Sequence, residues 1–153
     1  MTDSDKKGRL AGIDYGTVRI GIAVTDSEQR LASPYENYTR RGETADAAYF
    51  RRLASDEQIE RFVVGLPVHI SGDESAKSVE ARRFGEWLAK VSGRPVAFFD
   101  ERYTSSEAER VLLDMGLTKK KRKERLDKLA AQILLTAYLE SQSRSEPPVS
   151  LDG

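Results

Sequence analysis

The feature that most constrains the fold is a change near residue 40 in how strand-like and helix-like segments follow one another. Before it, three strand-like segments follow one another with only short turns between them, at residues 9–15, 19–25 and 31–39. After it, short apolar strands alternate with helical patterns, and the strands lie at 61–67 and 96–100. Short turns join antiparallel strands, whereas strand–helix–strand crossovers join parallel ones. The pattern therefore predicts an α/β fold with one mixed, five-stranded sheet flanked by helices.

Four segments show the 3.6-residue periodicity of amphipathic helices. They lie at about 44–58, 71–91, 104–116 and 122–141. The second begins with a possible capping box, Ser71 with Glu74, and the third with another, Thr104 with Glu107. Pro34 falls inside the third strand, and it predicts that this strand forms an edge of the sheet or contains a bulge.

The length of the chain suits a single domain. Its 153 residues can bury one core. We expect a flexible N-terminus at 1–8, a single domain at 9–141 and a disordered tail at 142–153. No apolar run approaches the roughly 20 residues that a membrane span requires, so we expect no membrane partner. The absence of cysteine is consistent with a cytoplasmic location.

Composition also excludes several kinds of site. Without cysteine there is no disulfide and no thiolate metal centre, and a single histidine, His69, excludes a multi-histidine zinc site within one chain. Acidic and basic residues balance at 25 each, so the chain is not a globally basic nucleic-acid binder. Any binding to nucleic acid must come from local clusters of charge.

A carboxylate stands near the end of the first strand, in the segment LAGIDYGTVRIGIAVTD (10–26). A buried carboxylate such as Asp14 is costly unless a metal ion, a basic group or backbone N–H groups compensate it. Asp100 and Glu101 end the last strand, and ligands gather at the carboxyl ends of parallel strands. Because successive strand residues face opposite sides, only one of these two can share a face with Asp14, and the pattern leaves open which.

A third acid comes from the last helix. Asp127 borders its apolar stripe, beside Ala130 and Ala131, whose small side chains allow a helix to approach a sheet closely. Three acids without histidine or cysteine suit Mg²⁺ or Mn²⁺, and two such ions can promote phosphodiester cleavage. The alternative is that these acids cap helices or pair with arginines, for which Arg9 and Arg102 are available.

At these residues the chain resembles a known family. The segments GIDYGTVRIGIAVTD, VVGLPVHISG, DERYTS and RLDKLAAQILLTAYL resemble, in this order, those of the YqgF family, also called RuvX, a bacterial branch of the ribonuclease H-like superfamily. The resemblance spans about residues 9–140. It implies a ribonuclease H-like fold with strand order 3-2-1-4-5 and metal-dependent hydrolysis of nucleic acid. It also implies one or two Mg²⁺ or Mn²⁺ ions and a catalytic, metal-binding set of Asp14, Glu101 and Asp127, which selects Glu101 over Asp100.

The family is described both as a Holliday junction resolvase and as the nuclease that matures the 5′ end of pre-16S ribosomal RNA. We expect the ribosomal RNA role, with precursor RNA or a pre-ribosomal particle as partner. The alternatives are a resolvase acting on branched DNA and a binding or ribosome-assembly module without catalysis. A junction resolvase makes two symmetric cuts and favours a homodimer, whereas an RNA nuclease can be a monomer. The segment DYGT also resembles the phosphate loop of actin-like ATPases, but that fold usually needs two such domains.

Several residues near these acids are candidates for substrate binding. A hairpin turn whose N–H groups point inward suits phosphate, and the basic run TKKKRKER (118–125) is either a solvated face or a phosphate clamp. His69, with Ile70, stands where the family often has an asparagine-containing turn, and Tyr103 replaces a leucine. The expected substrate-binding residues are Gly16, Thr17, Arg19, His69, Arg102, Thr104, Lys119, Lys120, Lys121, Arg122 and Lys123.

Overall fold

The computed structural model describes residues 8–67, 75–101 and 119–145, without the side chains of 119–128 and 143–145. Eight elements follow one another along these residues. The strands and helices are β1 (Arg9–Asp14), β2 (Arg19–Thr25), β3 (Ala32–Thr39), α1 (Glu43–Asp56), β4 (Ile59–Leu66), α2 (Ala76–Ser92), β5 (Val96–Asp100) and α3 (Lys119–Ser145).

The five strands form one mixed sheet in the order β3-β2-β1-β4-β5, which confirms the predicted topology. The hairpin strands β1, β2 and β3 pair antiparallel, whereas β1, β4 and β5 are parallel. The prediction from Pro34 is also confirmed. Its strand, β3, is an edge strand, and the pairing with β2 shifts by one residue between Ile22 and Ala23, beside Pro34.

The sheet is covered on both faces. On one face α1 and α2 pack over a large core that includes Ile13, Phe50, Phe62 and Leu88. On the other face α3 packs over a smaller core, which contains Leu10, Ala23, Val63, Ala131 and Leu135. Alternation along β1 assigns Ala11 and Ile13 to the first face, so Gly12 and Asp14 lie on the α3 side.

Gly12 explains how α3 approaches the sheet so closely. A Cβ at this position would lie 2.9 Å from Leu135 Cβ and 3.0 Å from the carbonyl oxygen of Ala131. Real Cβ atoms essentially never approach other atoms below 3.0 Å, so a side chain here would push α3 outward. The glycine thus sets the distance between α3 and the strand that ends in Asp14.

Two predicted helices have wrong boundaries. The second helix begins at Ala76, and its N-cap is Ser75, whose hydroxyl accepts a hydrogen bond from Ser78 N at 3.1 Å. Ser71 and Ser75 both precede helix-forming residues, and the sequence pattern alone does not choose between two competent caps. The last helix is longer than predicted at both ends, so residues 142–145, which we assigned to the tail, are helical.

The predicted helix at 104–116 lies outside the described residues. None of the described helices is both long enough and apolar enough to cross a membrane.

Candidate active site

Asp14 and Glu101 meet at the carboxyl end of the sheet. Asp14 ends β1, Glu101 directly follows β5, and their side chains hydrogen-bond across the end of β4. On β4, Gly65 makes room for this contact, because a Cβ there would lie 2.7 Å from Glu101 Cδ. The structure thus answers a question that strand alternation left open: Glu101, not Asp100, contacts Asp14.

The contact perturbs the titration of Glu101. Burial, followed by the negative charge of Asp14 and their hydrogen bond, raises the pKa of the Glu101 carboxyl to about 8. The charge of Asp100 adds a smaller effect in the same direction. Two carboxyl groups this close do not both ionise readily, so near neutral pH the pair retains a proton. The protonated Glu101 then donates its hydrogen bond to Asp14.

The two acids border a cavity of about 230 Å³. Since a water molecule occupies about 30 Å³ in the liquid, this volume accommodates several waters or a hydrated ion. The other lining residues come from the turn after β1, the end of β4 and the first turns of α2: Tyr15, Gly16, Thr17, Gly65, Pro67, Lys77, Glu80 and Ala81.

Lys77 and Glu80 were not predicted as site residues. With the helix start placed at Ser71, both would lie well inside the helix, whereas the real start at Ala76 places them in its first turns. The available signal was the general rule that the loop and helix start after a parallel strand face the ligand edge of the sheet. Applied to β4, this rule would have drawn attention to Lys77.

A second cavity, of about 310 Å³, lies on the other side of Asp14. Its described lining residues are Asp14, Tyr15, Gly16, Thr17, Val18, Arg19, Gly21 and Asn37. Asp14 is therefore accessible from two adjoining spaces, and the turn after β1 separates them.

This turn is held in place by Arg40. The backbone N–H of Arg40 donates to the Val18 carbonyl at 2.9 Å, and its guanidinium donates to the Tyr15 hydroxyl at 3.3 Å. The guanidinium also stacks over the rings of Tyr15 and Phe84, 5.6 Å from each ring centroid. The residue that follows Asp14 is therefore fixed by polar and cation–π contacts.

Arg40 is in turn anchored by Asp46, which is fully buried in the first turn of α1. The Asp46 carboxylate accepts hydrogen bonds from Tyr38 Oη at 2.6 Å, Arg41 N at 2.9 Å and Arg40 Nε at 3.2 Å. Burial alone would raise the pKa of Asp46, but these hydrogen bonds outweigh it and the pKa is lowered. Asp46 is thus an ionised anchor for the turn beside Asp14.

The remaining predicted site residues divide into three groups. Gly16, Thr17 and Arg19 line the cavities, and a Cβ at Gly16 would collide with the carbonyl oxygen of Arg19, so this tight turn requires glycine. His69, Arg102 and Thr104 lie outside the described residues. The backbones of residues 119–123 and of Asp127 belong to α3, but their side chains are outside the description. The described side chains alone contain no cluster of three or more histidine, cysteine, aspartate or glutamate residues that could hold a metal ion.

The order of the five strands defines the class of the fold, which is ribonuclease H-like. RuvC from Thermus thermophilus, solved in complex with a Holliday junction substrate, aligns with a TM-score of 0.55 and 18% identity over 93% of this chain and 99% of that chain. The fowlpox virus Holliday junction resolvase aligns with a TM-score of 0.50 and 11% identity, covering 87% and 99% of the two chains. At these identities the likeness shows the fold alone.

The family follows from the sequence comparisons. The family model for RuvX, described as Holliday junction resolvase, matches residues 8–141, and the chain belongs to this family. Two relatives are named "Putative pre-16S rRNA nuclease". The one from Rhodopirellula baltica is 48% identical, with 88% of this chain and 78% of the relative covered, and the one from Koribacter versatilis is 40% identical, with 92% and 93% covered. The expected family and enzyme class are confirmed.

Proposed function

We propose that the chain hydrolyses a phosphodiester bond at the cavity between Asp14 and Glu101 with the help of Mg²⁺ or Mn²⁺, and that its substrate is the 5′ region of precursor 16S ribosomal RNA. The observation that carries the chemistry is the hydrogen-bonded carboxyl pair, with the pKa of Glu101 raised to about 8. Two partly buried acids in direct contact repel each other when both are ionised, and a bound cation would offset this repulsion.

The residues fit a hard divalent cation. Asp14 and Glu101 offer carboxylate oxygens, the ligands that Mg²⁺ and Mn²⁺ prefer, and the adjoining cavity has room for the waters that Mg²⁺ retains. When bound there, such an ion supplies an activated water and stabilises the leaving oxygen. The acids of this chain hold the ion, and the glycine at position 65 keeps space for Glu101 beside Asp14.

Asp127 is the proposed third ligand. It precedes Ala131 by four residues in α3, about 6 Å along the helix and on the same helical side. Ala131 itself lies against Gly12, two residues before Asp14 on the same face of β1. These spacings support a place for Asp127 near the carboxyl pair.

Phosphate binding is assigned to groups around the two cavities. Gly16 and Thr17 line both cavities and are proposed to bind phosphate through their backbone N–H groups, and Arg19 and Lys77 supply positive charge. Lys119, Lys120, Lys121, Arg122 and Lys123 extend this clamp in the proposal, and His69, Arg102 and Thr104 contribute further substrate contacts.

The names of the relatives support a ribosomal RNA substrate. With such a substrate, the proposed partner is a pre-ribosomal particle and the proposed location is the cytoplasm. The description of the RuvX family favours a second candidate, cleavage of a four-way DNA junction. The two candidates differ in assembly, because symmetric cleavage of a junction needs two active sites and hence a dimer.

Paired cleavage tests the proposal. Wild type and Asp14→Asn are incubated with Mg²⁺, Mn²⁺ or EDTA, and each receives a labelled RNA spanning the 5′ end of 16S ribosomal RNA or a labelled four-way DNA junction. Asp56→Asn is the matched control, because Asp56 is exposed at the end of α1. We expect RNA cuts at the mature 5′ end that need the metal and Asp14 but not Asp56.

Other results change the assignment. Symmetric, Asp14-dependent cuts in the junction alone would make the protein a resolvase. Binding of both substrates without cleavage would favour a non-catalytic assembly module. Cleavage by pure Asp14→Asn at the wild-type rate would refute the site.

A further inference from the structure

Three residues form a straight row across the hairpin half of the sheet. Asp14 pairs with Gly21 on β2, and Gly21 pairs with Asn37 on β3. Directly paired residues face the same side of a sheet, so all three face the α3 side, as Gly12 does. Neighbouring strands lie about 4.8 Å apart, so the backbone of Asn37 is about 10 Å from that of Asp14. Gly21 has no side chain, so the row leaves a gap between Asp14 and Asn37 that forms the floor of a trough.

The trough coincides with the second cavity, of about 310 Å³. Arg19 precedes Gly21 by two residues on β2, so it lies on the same face and brings a positive charge to one end of the trough. Asn37 is the only asparagine of the chain. Among the described residues, none forms a hydrogen bond with its half-buried carboxamide, although an amide offers two donors and an acceptor.

The near wall of the trough, beside Asp14, is formed by the protein itself. It is the turn of residues 15–18, which the Arg40 contacts with Tyr15 and Val18 hold in place. A preformed wall lowers the entropic cost of binding. The trough adjoins Asp14 on the side opposite the cavity that contains Lys77, so a strand bound in both cavities would pass over Asp14.

We propose that this trough is a nucleotide subsite. It receives the nucleotide next to the scissile phosphate, with Arg19 on the adjoining phosphate and Asn37 on the sugar or base. This inference rests on the proposed nuclease function and specifies how the cleaved strand crosses the site. It makes Asn37 a substrate-binding residue on β3, a strand that carries no proposed catalytic acid.

Equilibrium binding tests the subsite separately from catalysis. Fluorescence anisotropy in EDTA measures the Kd of two labelled 12-nucleotide single strands, one RNA and one DNA of the same sequence. The variants are Asn37→Ala and Arg19→Gln. Their matched controls are Ser33→Ala, exposed near the opposite end of β3, and Arg52→Gln, exposed on α1.

We expect each subsite variant to raise the Kd about fivefold to tenfold and each control to leave it within twofold. Arg19→Gln should also reduce the dependence of log Kd on log salt by about one phosphate contact, whereas Asn37→Ala should not. If Asn37→Ala weakens the binding of the RNA strand alone, Asn37 contacts the 2′-hydroxyl. If it weakens the binding of both strands, Asn37 contacts the base or the backbone. Both results support the subsite.

The failures are distinguishable. If wild type cleaves in the metal-dependent assay and both subsite variants bind like wild type, the trough is not a subsite and the proposed function stands. If wild type neither binds nor cleaves either nucleic acid, the proposed function itself fails, and the subsite fails with it.

Discussion

The carboxyl pair makes a prediction about stability that needs no substrate. In the folded protein the pKa of Glu101 is about 8, above its ordinary value of 4.5. A raised pKa in an acid means that the folded state binds its proton more tightly than the unfolded state does. Its contribution to stability is therefore fully present below about pH 4.5 and is lost as the pH rises through 8. In EDTA, wild type should become less stable as the pH rises across this window. Glu101→Gln should not show this decrease, because it has no carboxyl group at position 101.

The size of the effect follows from linkage. Each pH unit between the two pKa values costs about 1.4 kcal/mol, and the slope is smaller near each pKa, so the free energy of unfolding of wild type should fall by about 3–4 kcal/mol relative to Glu101→Gln between pH 5 and pH 8. At pH 8 the variant should be the more stable protein although it has lost a proposed catalytic acid. Bound Mn²⁺ should reduce the difference, because it compensates the carboxylates of the folded state.

Urea unfolding monitored by the fluorescence of Trp87, the only tryptophan, measures these differences at several pH values. Glu86→Gln, an exposed glutamate on the same helix as Lys77, is the control and should follow wild type. A gap between wild type and Glu101→Gln that stays constant from pH 5 to pH 8 in EDTA would refute the reasoning, since it would mean that Glu101 titrates normally.

Three further predictions concern the groups around the pair. Arg40→Met should destabilise the fold by about 2 kcal/mol in urea unfolding, because it leaves the buried Asp46 without its cationic partner, whereas Arg52→Met, on the surface of α1, should change stability by less than about 0.5 kcal/mol. Gly65→Ala should weaken Mn²⁺ binding at least tenfold in calorimetric titration, because the new methyl group occupies the space of the Glu101 carboxyl group; unchanged affinity would separate Glu101 from the metal site. Gly12→Ala should reduce the free energy of unfolding by about 1–3 kcal/mol, because the new methyl group pushes α3 away from β1. If α3 carries a catalytic acid, the cleavage rate should fall by more than the loss of folded protein explains. A cleavage rate per folded molecule equal to that of wild type would argue against that role.

The sequence pattern predicted a mixed five-stranded sheet because the spacing of strands and the length of turns are local properties, and the family resemblance supplied the order of the strands. Three closely spaced strands and two crossovers leave few ways to build one sheet, and Pro34 marked its edge. The choice between Asp100 and Glu101 was different. It depends on which face of β5 each residue occupies, and that is set by the packing of Phe98 and Phe99 on opposite sides of the sheet, not by any local pattern.

The anchor of the turn could not be predicted either. Arg40 and Asp46 lie in a charged, polar stretch that reads as a solvated loop and helix start. Their roles arise from contacts with Tyr15 and Tyr38, which tertiary folding brings together. A buried ion pair of this kind has no sequence signature, because an exposed Arg–Asp pair at the same spacing would look identical.

A comparison of the carboxyl groups of Asp46 and Glu101 supports the proposed active site. Asp46 is fully buried, but it accepts three hydrogen bonds and its pKa is lowered, so it is satisfied by the protein alone. Glu101 instead lies against another acid, Asp14, and its pKa is raised. Next to this pair the fold places a glycine and a cavity, and the proposed cation would lower the cost of holding the two acids together.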